Sequence, residues 1–212
     1  MIRLKLLLLV AGCVIAYFGY KETIVSLHAK PEAGQVTAES LEEYKIPENC
    51  HVSIDHALAL YPLYVYQFST TKGSSETPNA NTKLNYVLYP VVSRSHPLAK
   101  TIDAGHTDKD SVIQALSSVS IVVKTNRFAT KGSIPQQFQN VDNLEGLIIN
   151  NVESLGKKEV ELLHESFPQM DASKVIFIEQ GRLPKPLVAT IGMIAGGVVL
   201  ALLGLFWMIA RR

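Results

Sequence analysis

From Leu187 to Ala210 the chain runs two dozen residues without a charge. At about 1.5 Å per residue a helix of that length reaches roughly 36 Å, more than the ~30 Å of a hydrocarbon core. A segment like this is either buried whole or given to a bilayer, and its length and lack of polar interruption favour the bilayer, crossed with some tilt. Pro184 and Pro186 stand just before it, Arg182 and Lys185 offer interfacial charge, and Trp207 lies near the far boundary beside Arg211 and Arg212.

The amino end repeats the design in shorter form. Arg3 and Lys5 precede an apolar run from Leu6 to Phe18, edged by Gly19 and Tyr20, with Tyr17, Phe18 and Tyr20 suited to an interfacial belt. The run is barely long enough to cross unless Leu4 joins it and Lys5 snorkels back to the interface. A cleaved signal peptide has the same basic start, but no small-x-small site precedes Tyr20. The stretch VAGC, Val10 to Cys13, looks like a lipobox, yet the apolar run continues past Cys13 through Phe18. The reading is therefore an uncleaved first transmembrane helix over residues 4–20, a connector over 21–35, a β-rich domain over 36–183 and a second transmembrane helix over 187–210.

Orientation follows from the short tails, because long loops translocate largely regardless of charge. Arg3 and Lys5 at one end and Arg211 and Arg212 at the other place both termini in the cytoplasm and the domain between them outside it. Small-residue faces at Gly192 and Gly196, and at Gly197 and Ala201, permit close helix approach, with Gly12 and Ala16 offering a similar face in the first segment. They serve either to pack the two anchors together or to associate with another copy or another membrane protein. The lipid bilayer and such a membrane-protein partner are the expected associations. With 20 basic against 19 acidic residues and no charge block, nucleic acid is not an expected partner.

Removing the anchors leaves roughly 165 residues, enough for one domain with a real core. Thr37 is a plausible N-cap for a short helix over TAESLEEY, with Glu39 at the positive end of its dipole and Pro47 beyond it. From Cys50 the period changes to two: in HVSIDHALAL, Val52 and Ile54 point one way, and His51, Ser53 and Asp55 point to the solvent side. LYVYQFS sets Tyr64, Tyr66 and Phe68 on one face, and LNYVLYPVVS returns as the second arm of a long hairpin. Pro62 and Pro90 imply edge positions or bulges. RSHPLAKTIDAGHTDKD reads as a loop, with a short helix from Asp110 to Leu116. SVSIVVKTNRF, LEGLIINN and KVIFIEQ are further strands, and a helix capped by Ser154 carries Val160, Leu163 and Phe167 along one face. Five or six strands with two or three short helices give an α+β, mainly β fold: a small, partly closed barrel or OB-like sheet domain between two transmembrane helices.

Chemistry-bearing patterns are sparse. His51 and His56 flank Asp55, and DAGHTDKD places His106 between Asp103 and Asp108, but neither has a specific zinc spacing. No nucleophile motif is present, and Cys50 beside His51 is adjacency on a strand, where neighbours point to opposite faces. His164 reads as a surface residue. No cofactor is implied. The candidate partner face is Tyr64, Tyr66 and Phe68, extended by Tyr86 and Leu88 of the neighbouring strand; the alternative, and the commoner role for such a face, is core.

With the two apolar segments, HVSID, YVLYPVV, LEGLIINNVESLGKKEVELL and VIFIEQGRLP in view, the chain resembles uncharacterised bacterial membrane proteins that hold one domain between two helices. In topology alone it is similar to the surfeit-type assembly factors of cytochrome oxidase. The resemblance implies a bacterial inner membrane and carries over no functional residue. The expectation is a non-enzymatic interaction or assembly module. The alternatives are a membrane-bound enzyme using His106 with Asp103 and Asp108, or His51 with Asp55, and a lipid-binding domain using the aromatic face.

Overall fold

The computed structural model describes residues 2–69, 77–105, 116–150, 157–168, 170–171 and 174–210. The chain divides into two compact units, Met1–Glu32 with Leu183–Arg212, and Ala33–Arg182.

The first unit is a pair of helices, α1 (Ile2–His28) and α5 (Leu187–Ile209), each long and apolar enough to cross a membrane. They run antiparallel: Gly204 meets Leu9, Gly197 meets Gly12 and Ala16, and Gly19 meets Ile194. The backbones approach so closely that a Cβ on Gly12 would lie 2.6 Å from the Gly197 carbonyl oxygen, and one on Gly197 would lie 2.7 Å from that of Gly12. Polar groups close the pair at its ends. The Lys5 ammonium sits 5.9 Å from the Trp207 ring centroid, while Lys185 pairs with Glu22 at 3.4 Å and the Ser26 hydroxyl donates to the Lys185 carbonyl at 2.8 Å. From Lys5 to Ser26 the helix rises about 32 Å at 1.5 Å per residue, close to the thickness of a hydrocarbon core. Residues 21–28, read from sequence as connector, are the last two turns of α1. Charge begins at Lys21 but nothing breaks the helix until Pro31, which disfavours helical geometry at the residue before it.

The second unit is a curled, mixed, nine-stranded sheet with short helices packed on it. β1 (Gly34–Thr37) leads into α2 (Ala38–Glu42), where the Thr37 side chain accepts from the Ser40 amide as the N-cap. β2 (His51–Asp55) and β3 (Ala57–Ala59) follow, then β4 (Val65–Phe68), β5 (Leu84–Ser93), α3 (Pro97–Asp103), β6 (Ile121–Thr125), β7 (Gln139–Val141), β8 (Leu144–Ile148), α4 (Lys157–Ser166) and β9 (Ile176–Gln180). β1 pairs with β2 and β6 with β9 in parallel; the other pairings are antiparallel.

β2 and β3 are two segments of one bent strand, as are β7 and β8. The register proves it: His51 opposes Leu147, Ile54 opposes Leu144, Ala57 opposes Val141 and Ala59 opposes Gln139, with no slip across the bend. The corner falls at His56 (φ 53°) and Asn143 (φ 56°), both left-handed. Each is preceded by an aspartate that serves the opposite strand: the Asn143 amide donates to Asp55 Oδ1 at 3.0 Å, and the His56 amide donates to Asp142 Oδ1 at 3.3 Å. From the ribbon the pairings run from β3 to β5, β6, β9 and β8, and so back to β2.

Several sequence expectations change. His51 and Ser53 are buried rather than solvent-facing: β2 is an interior strand flanked by β1 and β8, and the His51 ring is engaged by Glu145 of β8. Pro90 lies in the most heavily paired strand, not on an edge. Its carbonyl accepts from the Leu60 amide, so its missing N–H points to the gap where the chain leaves β3 for the 3-10 turn Tyr61–Leu63, which also holds Pro62. The loop read after Arg94 contains α3, whose N-cap is His96: its Nδ1 accepts from the Leu98 amide and its Nε2 faces the Ser118 carbonyl. On α4, Leu163 and Phe167 are buried but Val160 is 37% exposed. Ser154 and residues 110–115 lie outside the described residues, and Leu116–Ser118 is a 3-10 turn. β1 and β7 escape sequence reading because three or four residues hold too little period.

Four outcomes are expected. Gly197→Leu should destabilise the full-length protein by at least ~1–3 kcal/mol through overpacking, whereas Gly196→Leu, whose Cβ meets nothing within 4 Å, should be near neutral. At the corner, Asn143→Ala should cost about 1–2 kcal/mol and His56→Gly should be neutral or stabilising. Thermal unfolding in mild detergent checks all four; equal effects of the two glycine substitutions would contradict the helix register.

Candidate functional site

The aromatic residues of β4 form a ladder. Tyr64 and Tyr66 have ring centroids 5.8 Å apart, as do Tyr66 and Phe68, with the rings tilted by 39° and 36°. All three are half-buried, and the Lys131 ammonium lies 5.4 Å from the Tyr66 centroid, a cation–π distance. Beside the ladder an open cavity of about 440 Å³ is walled by Leu162 and Ser166 of α4 and by Phe167 just after it. Among the described residues β4 pairs with β5 alone. The register corrects the wider face expected from sequence: Tyr66 opposes Val87, whereas Tyr86 and Leu88 oppose Gln67 and Val65 and share their side of the sheet.

The histidine constellations do not assemble. His51 is fully buried and its Nε2 lies 2.9 Å from Glu145 Oε1, a partner from β8, while Asp55 is engaged at the corner by Asn143. His56 is exposed and stands 3.8 Å from Asp142. Asp103 pairs with Arg94 at 3.5 Å, and His106 and Asp108 lie outside the described residues. His164 is exposed on α4. Cys50 is buried, which pushes its thiol upward and away from nucleophilic use; Cys13 is exposed on α1. No group of three metal-ligating side chains occurs among the described residues.

The small residues of α5 divide into two faces. Gly197 packs on α1, and Ala201 supplies the backbone atoms nearest to Gly12, whereas Gly192 and Gly196 face open space.

A second cavity, of about 420 Å³, carries no sequence signature. It lies where β5 begins and where β6 and β9 end, lined by Asn85, Tyr86, Lys124, Asn126, Glu179 and Arg182, with Thr125, Gln180 and Gly181. Lys124 is held by Glu159 of α4 at 2.6 Å and faces Glu179 at 3.9 Å, and Arg182 donates to Glu179 at 2.8 Å. The Lys124 ammonium also lies 5.0 Å from the Tyr86 centroid. Burial, and then the Glu159 carboxylate, push the Tyr86 phenol upward, so it stays a donor. These partners come from elements far apart in the chain, and only the register of β6 against β9 brings Lys124 opposite Glu179.

Below this cavity the Tyr89 hydroxyl donates to Gln180 Oε1 at 3.1 Å and the ring packs against Tyr61 at 4.7 Å. Burial, with Tyr61 beside it, holds the phenol well above its ordinary value, against the opposing pull of Arg127. A folded-state value above the unfolded one means stability is intact below about pH 10 and falls as pH climbs through the raised value. Tyr89→Phe should cost about 0.5–1.5 kcal/mol near neutrality through the lost hydrogen bond and flatten the alkaline limb of the stability profile. Melts of both proteins between pH 7 and 11 check this; an unchanged alkaline limb would contradict it.

No family model, curated protein or solved structure matches this chain.

Proposed function

We propose that the protein is a two-pass, membrane-anchored interaction or assembly module, without catalysis of its own, that presents its domain outside the cytoplasm to a membrane-protein partner. α1 and α5 are the proposed anchors: their antiparallel pairing agrees with both chain ends on one face of a bilayer, and the basic residues of the tails favour the cytoplasmic face. The bacterial inner membrane is the proposed location.

The domain is read as OB-like. Counting the β2/β3 strand, β5, β6, the β7/β8 strand and β9 as one to five, each pairs antiparallel with its neighbour around the ring except three and five, which are parallel. β4 lies in the connection between strands one and two, and α4 in that between four and five. In OB folds these two connections frame the ligand surface, and the analogy puts the ladder and its groove at the working position.

The single observation that carries the proposal is the half-buried ladder of Tyr64, Tyr66 and Phe68 on a strand paired along one edge, beside an apolar groove. Aromatic groups of this kind, partly desolvated before any partner arrives, are the usual energetic centre of protein interfaces. The His51 and Asp55 arrangement of the enzymatic alternative is not adopted, since the two side chains serve different partners.

Purification of the intact protein from its native membranes, with the mass and composition of the particle determined, tests the proposal. A stoichiometric second membrane protein is expected. Tyr66→Ser with Phe68→Ser should weaken its retention by about tenfold or more while the melting temperature moves little, as hot-spot truncations of roughly 2 kcal/mol do. A solitary particle, or retention indifferent to both substitutions, would overturn it.

A further inference from the structure

We propose that the polar cleft formed by Tyr86, Lys124, Asn126, Glu179 and Arg182 is a binding site for a neutral saccharide. The site is built from side chains of the domain alone and is independent of the membrane topology and the partner face.

The charges of the cleft decide what it refuses. Lys124 lies within 4 Å of two carboxylates, Glu159 at 2.6 Å and Glu179 at 3.9 Å, and Glu179 also takes Arg182 at 2.8 Å. Both cations are held by carboxylates, Glu159 from behind the lining and Glu179 within it, so a phosphate or an acidic peptide would have to compete with those carboxylates for Lys124 and Arg182. A divalent cation would need those same carboxylates stripped of the lysine and arginine that hold them. Polar groups share the lining with a comparable amount of apolar surface, which suits a ligand that carries both kinds.

What the cleft offers is a mixture of donors and acceptors at fixed positions. The ion pairs are shielded, with side chains between 14% and 28% exposed, so their geometry is held by burial and mutual contact. Gln180 has its oxygen committed to Tyr89, leaving the amide nitrogen as a donor, and the Tyr86 phenol stays protonated. Asn126 is exposed at the rim and engages no partner among the described residues, leaving a complete amide with two donors and an acceptor. A hydroxyl both donates and accepts, and adjacent hydroxyls on a sugar ring match a carboxylate, an amide or a guanidinium two at a time. The volume, about 420 Å³, lies in the range of small-molecule sites.

The test uses the full-length protein in a detergent without a sugar headgroup, with maltotetraose, cellotetraose, chitotetraose and mannotetraose as probes in saturation-transfer NMR. At least one should receive saturation. Asn126→Ala, at an exposed position with nothing to lose in folding, should weaken that binding about tenfold with an unchanged melting temperature, and Tyr86→Phe should weaken it less than Tyr86→Leu. No transfer to any of the four probes, or transfer unaffected by Asn126→Ala, would overturn the proposal and leave the network as a clasp between α4 and the sheet.

Discussion

Two aspartates hold the corner on which the domain turns. Without the bonds from Asn143 to Asp55 and from His56 to Asp142, two amides at the bend would lose their protein acceptors, at the point where β2 passes into β3 and β7 into β8. The bend lets one continuous ribbon, β2/β3 on β7/β8, pair with β9 at one end and with β5 at the other, and β6 joins β5 to β9, which is how a mixed sheet of short strands curls back towards itself. β-branched and aliphatic side chains, Val52, Ile54, Val87, Val91, Ile121, Val123 and Ile178 among them, are then fully buried. The left-handed geometry at His56 is a local cost, on the order of 1–2 kcal/mol, that the burial outweighs.

In the helical unit the corresponding constraint is backbone approach. In a bilayer, whose tails are as apolar as leucine, apolar burial alone would not hold two such helices together; close packing would. Gly12 and Gly197 leave no room for a side chain between the backbones, and the face of α5 carrying Gly192 and Gly196 remains open. That division distinguishes the residues that join α1 to α5 from those that do not, a distinction the spacing of small residues alone leaves undecided.

Much of this was legible in the sequence, and the exceptions share a physical cause. The two long apolar helices, the Thr37 cap, β5, β6, β8, β9 and the β4–β5 pairing follow from local pattern, which the chain expresses clearly. The aromatic ladder follows from period two, yet its neighbours did not, because Tyr86 and Leu88 change sides with a register that only the paired strand defines. His51 and Ser53 alternate like solvent-facing residues but are buried, since alternation reports polarity and not how many layers cover a strand. The cleft of Lys124, Glu159, Glu179 and Arg182 was invisible for a related reason: single charges scattered along a chain acquire meaning only when long-range pairing collects them. His96 could have been found, since a polar residue directly before Pro97 is a helix-start signal.

The proposed two-pass arrangement puts the domain on one side of a bilayer and both chain ends on the other, and site-directed labelling measures that most directly. In a background of Cys13→Ser and Cys50→Ala, single cysteines introduced as Asn126→Cys in the domain and Arg212→Cys at the carboxyl end would be exposed to a membrane-impermeant maleimide on spheroplasts. The expected result is labelling of the domain cysteine in sealed spheroplasts and of the terminal one only after the membrane is permeabilised. Protection of the domain cysteine, or equal labelling of both positions before permeabilisation, would contradict the two-pass arrangement.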